Sequence, residues 1–141
     1  MKVRDLMTKN VVRIHPEEPV EVAARTLTNY NIGALPVCGR DGQVCGVVTD
    51  RDLVTRYMAA GKTRATVRDV MTNRVVSVSP DMDAVLAARL MGREQVRRLP
   101  VLERGRLCGM VSLADLAAIE ENGLDAADAL AEITANVQEK W

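Results

Sequence analysis

The chain has 141 residues, with 19 lysines and arginines against 19 aspartates and glutamates, so its formal net charge is zero. A composition of 48% hydrophobic and 27% charged residues is that of a globular protein and excludes extensive disorder. The neutral balance argues against general nucleic-acid binding, because neutralising phosphates needs a surplus of positive charge. Aromatic residues make up only 2%, which also argues against stacking platforms for single-stranded bases.

Few residues of the sequence could bind a metal or form disulfides. The three cysteines, Cys38, Cys45 and Cys108, lack CxxC spacing, and His15 is the single histidine. We therefore expect no disulfide framework and no conventional zinc site, with the thiols buried in a reducing cytosol. The N-terminus lacks a signal-peptide pattern, and no apolar run approaches the roughly eighteen residues of a membrane helix. These observations predict a cytoplasmic protein without a membrane partner.

The predicted elements, taken in chain order, begin with a motif that returns later. Residues 3–8 read Val-Arg-Asp-Leu-Met-Thr, and residues 67–72, at an offset of 64, read Val-Arg-Asp-Val-Met-Thr. Short apolar runs ended by proline then predict strands over residues 11–14 and 75–78. Apolar residues at helical spacing predict helices over residues 20–30 and 82–94, and Pro19 suits the first turn of the earlier helix.

A hairpin and a second helix follow in each copy. Strands over 35–38 and 44–48 flank Gly39-Arg40-Asp41-Gly42, which is a hairpin signal. The second copy has the shorter turn Glu103-Arg104-Gly105, where one residue is lost and the offset becomes 63. The second helix of each copy is predicted to begin at Thr49 or Ser112 and to end near Gly61 or Asn122-Gly123.

The chain is therefore a tandem duplication of a strand-helix-strand-strand-helix unit, and its fold class is α+β. Two copies can cover the bare faces of each other's sheets. The predicted domains are residues 1–63, residues 64–122 and a tail over 123–141. Ala126, Leu130, Ile133 and Val137 of the tail recur at helical spacing, which predicts an amphipathic helix. This acidic tail packs on its own domain or contacts a second subunit; the sequence leaves both alternatives open.

Gly-x-x-Thr/Ser-x-x-Asp occurs at equivalent places in both copies. One interpretation is helix capping, with Thr49 or Ser112 as the N-cap and Asp52 or Asp115 at the third helical position. The other is nucleotide binding, which does not exclude capping. The free N–H groups at the start of a helix suit a phosphate, and the aspartate can accept hydrogen bonds from a ribose diol.

Together, the repeated Val-Arg-Asp-hydrophobic-Met-Thr motif, the Leu-Pro-Val strands and the Gly-x-x-Thr/Ser-x-x-Asp turns resemble the cystathionine-beta-synthase (CBS) domain family. The resemblance covers about residues 3–121, and it is strongest to small stand-alone bacterial proteins made of one tandem pair, a Bateman module. It implies two β-α-β-β-α repeats related by a pseudo-twofold axis, with their sheets packed together, and a C-terminal helix.

The resemblance also implies a function. Such a pair is a regulatory sensor that binds AMP, ADP or ATP, and less commonly S-adenosylmethionine or NAD derivatives, in clefts between its repeats. It needs no cofactor, forms a homodimer as a disc of four repeats and signals, here, to a separate effector protein. The alternative is an interaction module without a ligand that acts by dimerisation and by docking on a partner.

Carried over by position, the resemblance names ligand-binding residues in two clefts. Asp52 and Asp115 would bind ribose, while Thr49 and Ser112 would help to bind phosphate. The adenine side of the Asp115 cleft would be lined by Met7, Thr8, Lys9 and Asn10, and that of the Asp52 cleft by Met71, Thr72, Asn73 and Arg74.

The two clefts differ in the basic residues that the family often places before Leu-Pro. The second copy has Arg97 and Arg98, whereas the first has Gly33 and Ala34. Since guanidinium groups bind phosphate strongly, we expect the Asp115 cleft to bind nucleotide phosphates better, unless the arginines belong to a solvated loop. The Asp52 cleft would rely on Arg51 and Arg74, bind only an adenosine moiety or stay empty.

Nothing in the sequence assembles a catalytic site, so we expect no enzyme. His15 is matched by Ser79 in the second copy, which means that the duplication does not preserve it. Cys45 and Cys108 follow apolar residues on predicted strands, where a thiol is expected to be buried and inert. There is also no glycine-rich phosphate loop with a lysine.

Overall fold

A computed structural model of the protein describes residues 1–118 and 123–138. Its helices are α1 (Val20–Tyr30), α2 (Asp50–Asp52), α3 (Val67–Val70), α4 (Ala84–Glu94), α5 (Leu113–Ala117) and α6 (Gly123–Gln138). Its strands are β1 (Ala34–Cys38), β2 (Val44–Thr49), β3 (Arg98–Glu103) and β4 (Arg106–Ser112). A 3-10 turn at Val3–Asp5 and a π-helical turn at Leu53–Met58 complete the elements. Within the described ranges, no helix is both long enough and apolar enough to cross a bilayer.

Both predicted hairpins are confirmed. β1 and β2 form an antiparallel sheet in which Leu35 lies opposite Val48, and a bulge after Val37 shifts the register by one residue. β3 and β4 form the second sheet. Their turn places Arg104 and Gly105 at φ 54° and 79°. Two successive positive φ values are characteristic of the tight turn whose twist matches that of paired strands.

The predicted first strand of each copy is wrong in extent. Ile14 and Val78 each form one isolated parallel bridge, to Val37 and Val101 respectively, and no longer ladder follows in the described chain. The proline two residues further on has no N–H group to donate, so pairing cannot extend past it. Each sheet therefore has two full strands and one bridged residue rather than three strands.

The first helix of each copy is confirmed, with two corrections at the N-termini. α4 begins at Ala84 rather than at Met82, because the Asp83 carboxylate accepts a hydrogen bond from Val85 N at 2.9 Å and so caps the helix. Pro19 lies at the N-cap of α1, with extended φ and ψ of −61° and 150°, rather than inside the first turn.

The second helix of each copy differs from the prediction. α2 continues into the π-helical turn, where Ala59 N donates to Val54 O at 2.8 Å, and Gly61 follows with φ 70°. Such i→i+5 bonding is rare and occurs mostly as single turns, frequently at functional sites. In the second copy, the predicted stop at Asn122 lies outside the described residues, and Gly123 is the first residue of α6.

The chain divides into two compact units, and these do not follow the repeat boundaries. The Asp52 unit contains Val12–Val75 and Gly105–Leu107. The Asp115 unit contains Met1–Val11, Val76–Arg104 and the described residues from Cys108 onwards. The N-terminal segment of each repeat therefore belongs to the compact unit of the other repeat. The boundaries predicted after residues 63 and 122 remain a prediction.

The repeated Val-Arg-Asp motif holds each exchanged segment in place by the same contacts. In the Asp115 unit, Arg4 N donates to Pro80 O at 3.0 Å, and the Arg4 guanidinium forms an ion pair with Asp81. In the Asp52 unit, 64 residues later, Arg68 Nε lies 2.8 Å from Glu17 Oε1. Exposed pairs of this kind contribute little individually, so most of the attachment comes from the backbone bonds and the buried valines of the motif.

The tail forms the predicted amphipathic helix, and it packs on its own domain. α6 contacts α4 and α5, and it buries Ala126, Ala129 and Ile133 in the core of the Asp115 unit. The prediction that Leu130 belongs to the apolar face of this helix that packs on the core is wrong, since Leu130 is 45% exposed. The side chain of Val137 lies outside the described residues.

Candidate functional site

The two predicted capping pairs are present with the same geometry. Thr49 Oγ1 accepts from Asp52 N at 3.0 Å, and Asp52 Oδ2 accepts from Thr49 N at 3.0 Å. Ser112 Oγ accepts from Asp115 N at 3.1 Å, and Asp115 Oδ2 accepts from Ser112 N at 2.9 Å. These reciprocal bonds are capping boxes, so the capping interpretation is confirmed. Each box fixes a carboxylate where a strand of the hairpin passes into a helix.

The Met-Thr segments lie beside these strands, as the predicted grouping requires. Thr8 N donates to Met110 O at 2.8 Å, and Met110 N donates to Thr8 O at 2.9 Å. Thr72 and Val47 exchange the equivalent two bonds at 2.8 and 2.9 Å. Met110 and Val47 each precede the capping hydroxyl by two residues. The structure thus brings the first Met-Thr segment to β4, close to the Ser112–Asp115 capping box, and the second to Asp52 itself.

The glycine of the repeated motif makes this approach possible, a role that the sequence analysis did not assign. A Cβ atom placed on Gly109 would lie 2.5 Å from Met7 Sδ and 3.1 Å from Thr8 O. At Gly46, the corresponding atom would lie 2.8 Å from Met71 Sδ and from Thr72 O. These separations are shorter than normal non-bonded contacts, so a larger residue would push the segment away.

The Asp52 carboxylate is fully engaged by the protein. Asp52 is only 6% exposed, and Thr72 Oγ1 donates to its Oδ1 and Oδ2 at 3.2 and 3.3 Å. Arg56 Nη1 lies 3.8 Å from Oδ1 and donates to Met71 O at 2.8 Å and to Val70 O at 3.2 Å. Sequence reasoning missed Arg56; the signal that could have found it was an arginine four residues after an aspartate at a helix start.

The Asp115 carboxylate is more open. It is half-buried, and the neighbouring Thr8 is exposed. Within residues 1–118 and 123–138, this carboxylate accepts one hydrogen bond, from Ser112 N. The same residues provide no counterpart of the contacts that Thr72 and Arg56 make with Asp52. The sequence position equivalent to Arg56 is Ile119, which lies outside the described residues.

The charges next to the two carboxylates also differ. Leu113 N donates to Arg97 O at 2.7 Å, which brings Arg97 and Arg98 to the start of α5, and both arginines are exposed. In the first copy, Asp50 N donates to Gly33 O at 3.1 Å, and Asp50 stands where the second copy has Leu113. A carboxylate at this place repels a phosphate, whereas guanidinium groups attract it.

The other predicted ligand-binding residues lie at the edges of the two sites. Met7 is half-buried and Met71 is buried, and both pack beside the motif glycines. The remaining five are exposed, four of them directly after the bridged threonines and one in α2: Lys9, Asn10, Asn73, Arg74 and Arg51.

The burial and the hydrogen bonds of the three cysteines and of His15 bear on whether these residues could act in catalysis or metal binding. All three cysteines are free, and Cys38 is buried as predicted. Cys45 and Cys108 are only half-buried, which corrects the prediction that they are buried. Burial raises the pKa of Cys38 and of Cys108, which disfavours the reactive thiolate. His15 Nδ1 accepts from Glu17 N at 3.2 Å in a turn. In the described part of the chain, no three metal-ligating side chains cluster.

Comparisons with known proteins agree with the repeat and the fold. The model of the CBS domain family matches residues 3–59 and 67–121. CBS domain-containing protein YhcV of Bacillus subtilis (strain 168) is 37% identical over 133 residues, which are 94% of each chain. The crystal structure of Hypoxic Response Protein I with two coordinated zinc ions has a TM-score of 0.76 at 34% identity, covering 84% of this chain and 98% of that one. The crystal structure of CBSX2 in complex with AMP has a TM-score of 0.73 at 27% identity, covering 83% and 93%.

Proposed function

The chain belongs to the CBS-domain family, and on that premise we propose that it is a regulatory module that binds an adenosine nucleotide at Asp115. The observation that carries the proposal is that this carboxylate is held in place but still has capacity to accept hydrogen bonds from a ligand. A capping box holds it in place through one oxygen, and the structure shows no second protein donor on it among the described residues. Supporting evidence from a relative is that the structure of CBSX2 holds AMP.

The residues around Asp115 suit the parts of a nucleotide. A carboxylate accepts hydrogen bonds from both hydroxyls of a ribose diol. Ser112 supplies a hydroxyl at the start of the helix, and Arg97 and Arg98 supply positive charge for the phosphate. The Met7 side chain offers an apolar contact for the adenine ring, with Thr8, Lys9 and Asn10 following on the same segment. AMP, ADP and ATP share the groups that this arrangement recognises.

The proposed role is regulatory rather than catalytic. A nucleotide that binds one arrangement of the chain more tightly than another shifts the population towards the first. We propose that this shift is read by a separate effector protein in the cytoplasm, and that the chain acts as a homodimer of four repeats.

A second candidate function is an interaction module without a ligand. The capping boxes favour it, because both aspartates already stabilise helix starts without any bound molecule. The two candidates differ in one measurable respect, which is whether an adenosine nucleotide stabilises the folded chain.

Thermal unfolding with and without AMP tests the proposal, with ADP, ATP, S-adenosylmethionine and NAD as further ligands. A ligand at about 100 times its dissociation constant adds about 2.7 kcal/mol to the free energy of unfolding. We expect AMP to raise the melting temperature of the wild type, and we expect Asp115→Ala to abolish that rise.

The control is Asp69→Ala, which removes the same kind of capping carboxylate in the Asp52 unit. It should lower the starting melting temperature but keep the rise with AMP. Loss of the rise in Asp52→Ala alone would show that the wrong site was chosen. No rise with any of the five ligands would favour the interaction module.

A further inference from the structure

We propose that Arg56 and Thr72 block the Asp52 carboxylate from ligands, so that each chain binds one nucleotide, at Asp115. Arg56 is the residue that sets this stoichiometry. The proposal rests on the proposed function for the role of Asp115. The closure of Asp52 itself stands on contacts within the Asp52 unit, and it can be tested separately.

Both oxygens of Asp52 already have donors. Oδ2 accepts from Thr49 N at 3.0 Å, and Oδ1 accepts from Thr72 Oγ1 at 3.2 Å. With the residue 6% exposed, a ribose diol could reach the carboxylate only by displacing the threonine hydroxyl. Breaking a bond to a buried charged group is costly unless an equal bond replaces it.

Arg56 holds this arrangement together from the outside. Its Nη1 donates to Met71 O and Val70 O at 2.8 and 3.2 Å and lies 3.8 Å from Asp52 Oδ1. The guanidinium therefore joins the carboxylate to the backbone that carries Thr72. Since the side chain is itself 48% exposed, it can be removed without opening a large cavity in the core.

Among the residues of the second copy that the structure describes, neither closing contact has a counterpart. Thr8, the equivalent of Thr72, is exposed, and Ile119 takes the sequence position of Arg56. The first copy also carries Asp50, near Gly33, where the second has Leu113 and an arginine pair. An opened first site would therefore accept an adenosine without phosphate better than a nucleotide, because the Asp50 carboxylate repels phosphate.

Calorimetric titration of the full chain with AMP and with adenosine tests the proposal. The wild type should bind one AMP per chain. Arg56→Ala should show a second binding event with adenosine, at Asp52. The affinity of this site for adenosine should be at least about tenfold higher than in the wild type. Adding Asp52→Asn to Arg56→Ala should remove that event. Arg56→Gln keeps a donor for Met71 O but removes the charge, and it should show the same gain.

Arg25→Ala is the matched control, since Arg25 is an exposed arginine on α1 of the same unit, and it should not change the stoichiometry. Two AMP molecules per wild-type chain would overturn the proposal. So would folded Arg56→Ala or Arg56→Gln chains, verified by circular dichroism, that gain no adenosine. If the wild type binds no AMP, the proposed function fails, but adenosine binding to the Arg56 variants still decides whether Asp52 is closed.

Discussion

At the scale of single residues, the structure explains why a glycine stands three residues before each capping hydroxyl. Gly109 and Gly46 are buried, and each lies under the side chain of a methionine and the carbonyl of the following threonine. The methionine is flexible and can move, but the threonine carbonyl belongs to backbone that is bridged to the strand. The motif glycine therefore fixes the distance between the Met-Thr segment and the capping box.

Gly109→Ala should destabilise the protein and weaken AMP binding, because the new Cβ would meet Met7 Sδ at 2.5 Å and Thr8 O at 3.1 Å. Overpacking of this kind costs about 1–3 kcal/mol in the free energy of unfolding. Urea denaturation measures the cost, and titration with AMP measures the binding.

Gly33→Ala is the control for Gly109→Ala, since the nearest atom to its Cβ would be Asp50 Oδ2 at an ordinary 3.6 Å. It should change neither quantity. Gly109→Ala with wild-type stability and wild-type affinity would mean that the close approach of Met7 and Thr8 has no part in the site.

The residues of the site divide into those that local pattern predicts and those that it does not. The capping pairs follow from spacing alone, since a hydroxyl and an aspartate three residues apart satisfy each other's backbone. The closing contact of Arg56 does not, because its partners Val70 and Met71 are 14 and 15 residues away in sequence. Only the fold brings their carbonyls to the guanidinium.

At the scale of elements, the same division holds. α1 has the predicted ends, and the hairpins have the predicted turns, because helical periodicity and turn residues are local signals. The predicted first strand of each copy is a single β-bridge in the structure. Its length could not be predicted locally, because it depends on the partner strand and on the proline that follows. The orientation of α6 depends on the surface it meets, and so Ala129 rather than Leu130 faces the core.

Ile133→Ala should destabilise the Asp115 unit, because Ile133 is only 6% exposed in the contact of α6 with α4 and α5. Truncation of a buried aliphatic side chain of this size costs about 2–5 kcal/mol. Chemical denaturation followed by circular dichroism measures the loss.

The matched variant Leu130→Ala removes a side chain of equal size that is 45% exposed, and it should cost well under half as much. Equal losses for the two variants would show that α6 turns a different face to the core.

At the scale of the whole molecule, each compact unit combines segments from both sequence repeats. The core of the Asp52 unit includes Val67, Val70 and Met71, which lie after the first repeat in sequence. The core of the Asp115 unit includes Val3, which lies at the start of the first repeat. A sequence repeat and a folding unit therefore differ by a shift of about a dozen residues, and the duplication by itself could not reveal this, because both divisions have the same period.

Two fragments of nearly equal length distinguish the folding unit from the repeat. Residues 12–75 keep the buried Val67, Val70 and Met71 of the Asp52 unit together with the contacts of Arg56. Residues 1–63 lack these three core residues and carry instead a segment that packs in the other unit. Chains of about 60 residues are marginally stable, so losing part of the core should decide between folded and unfolded. We expect residues 12–75 to unfold cooperatively in urea and to show the dispersed amide spectrum of a folded domain, whereas residues 1–63 should show neither. Cooperative unfolding of residues 1–63 alone would mean that the repeat, rather than the exchanged unit, is what folds.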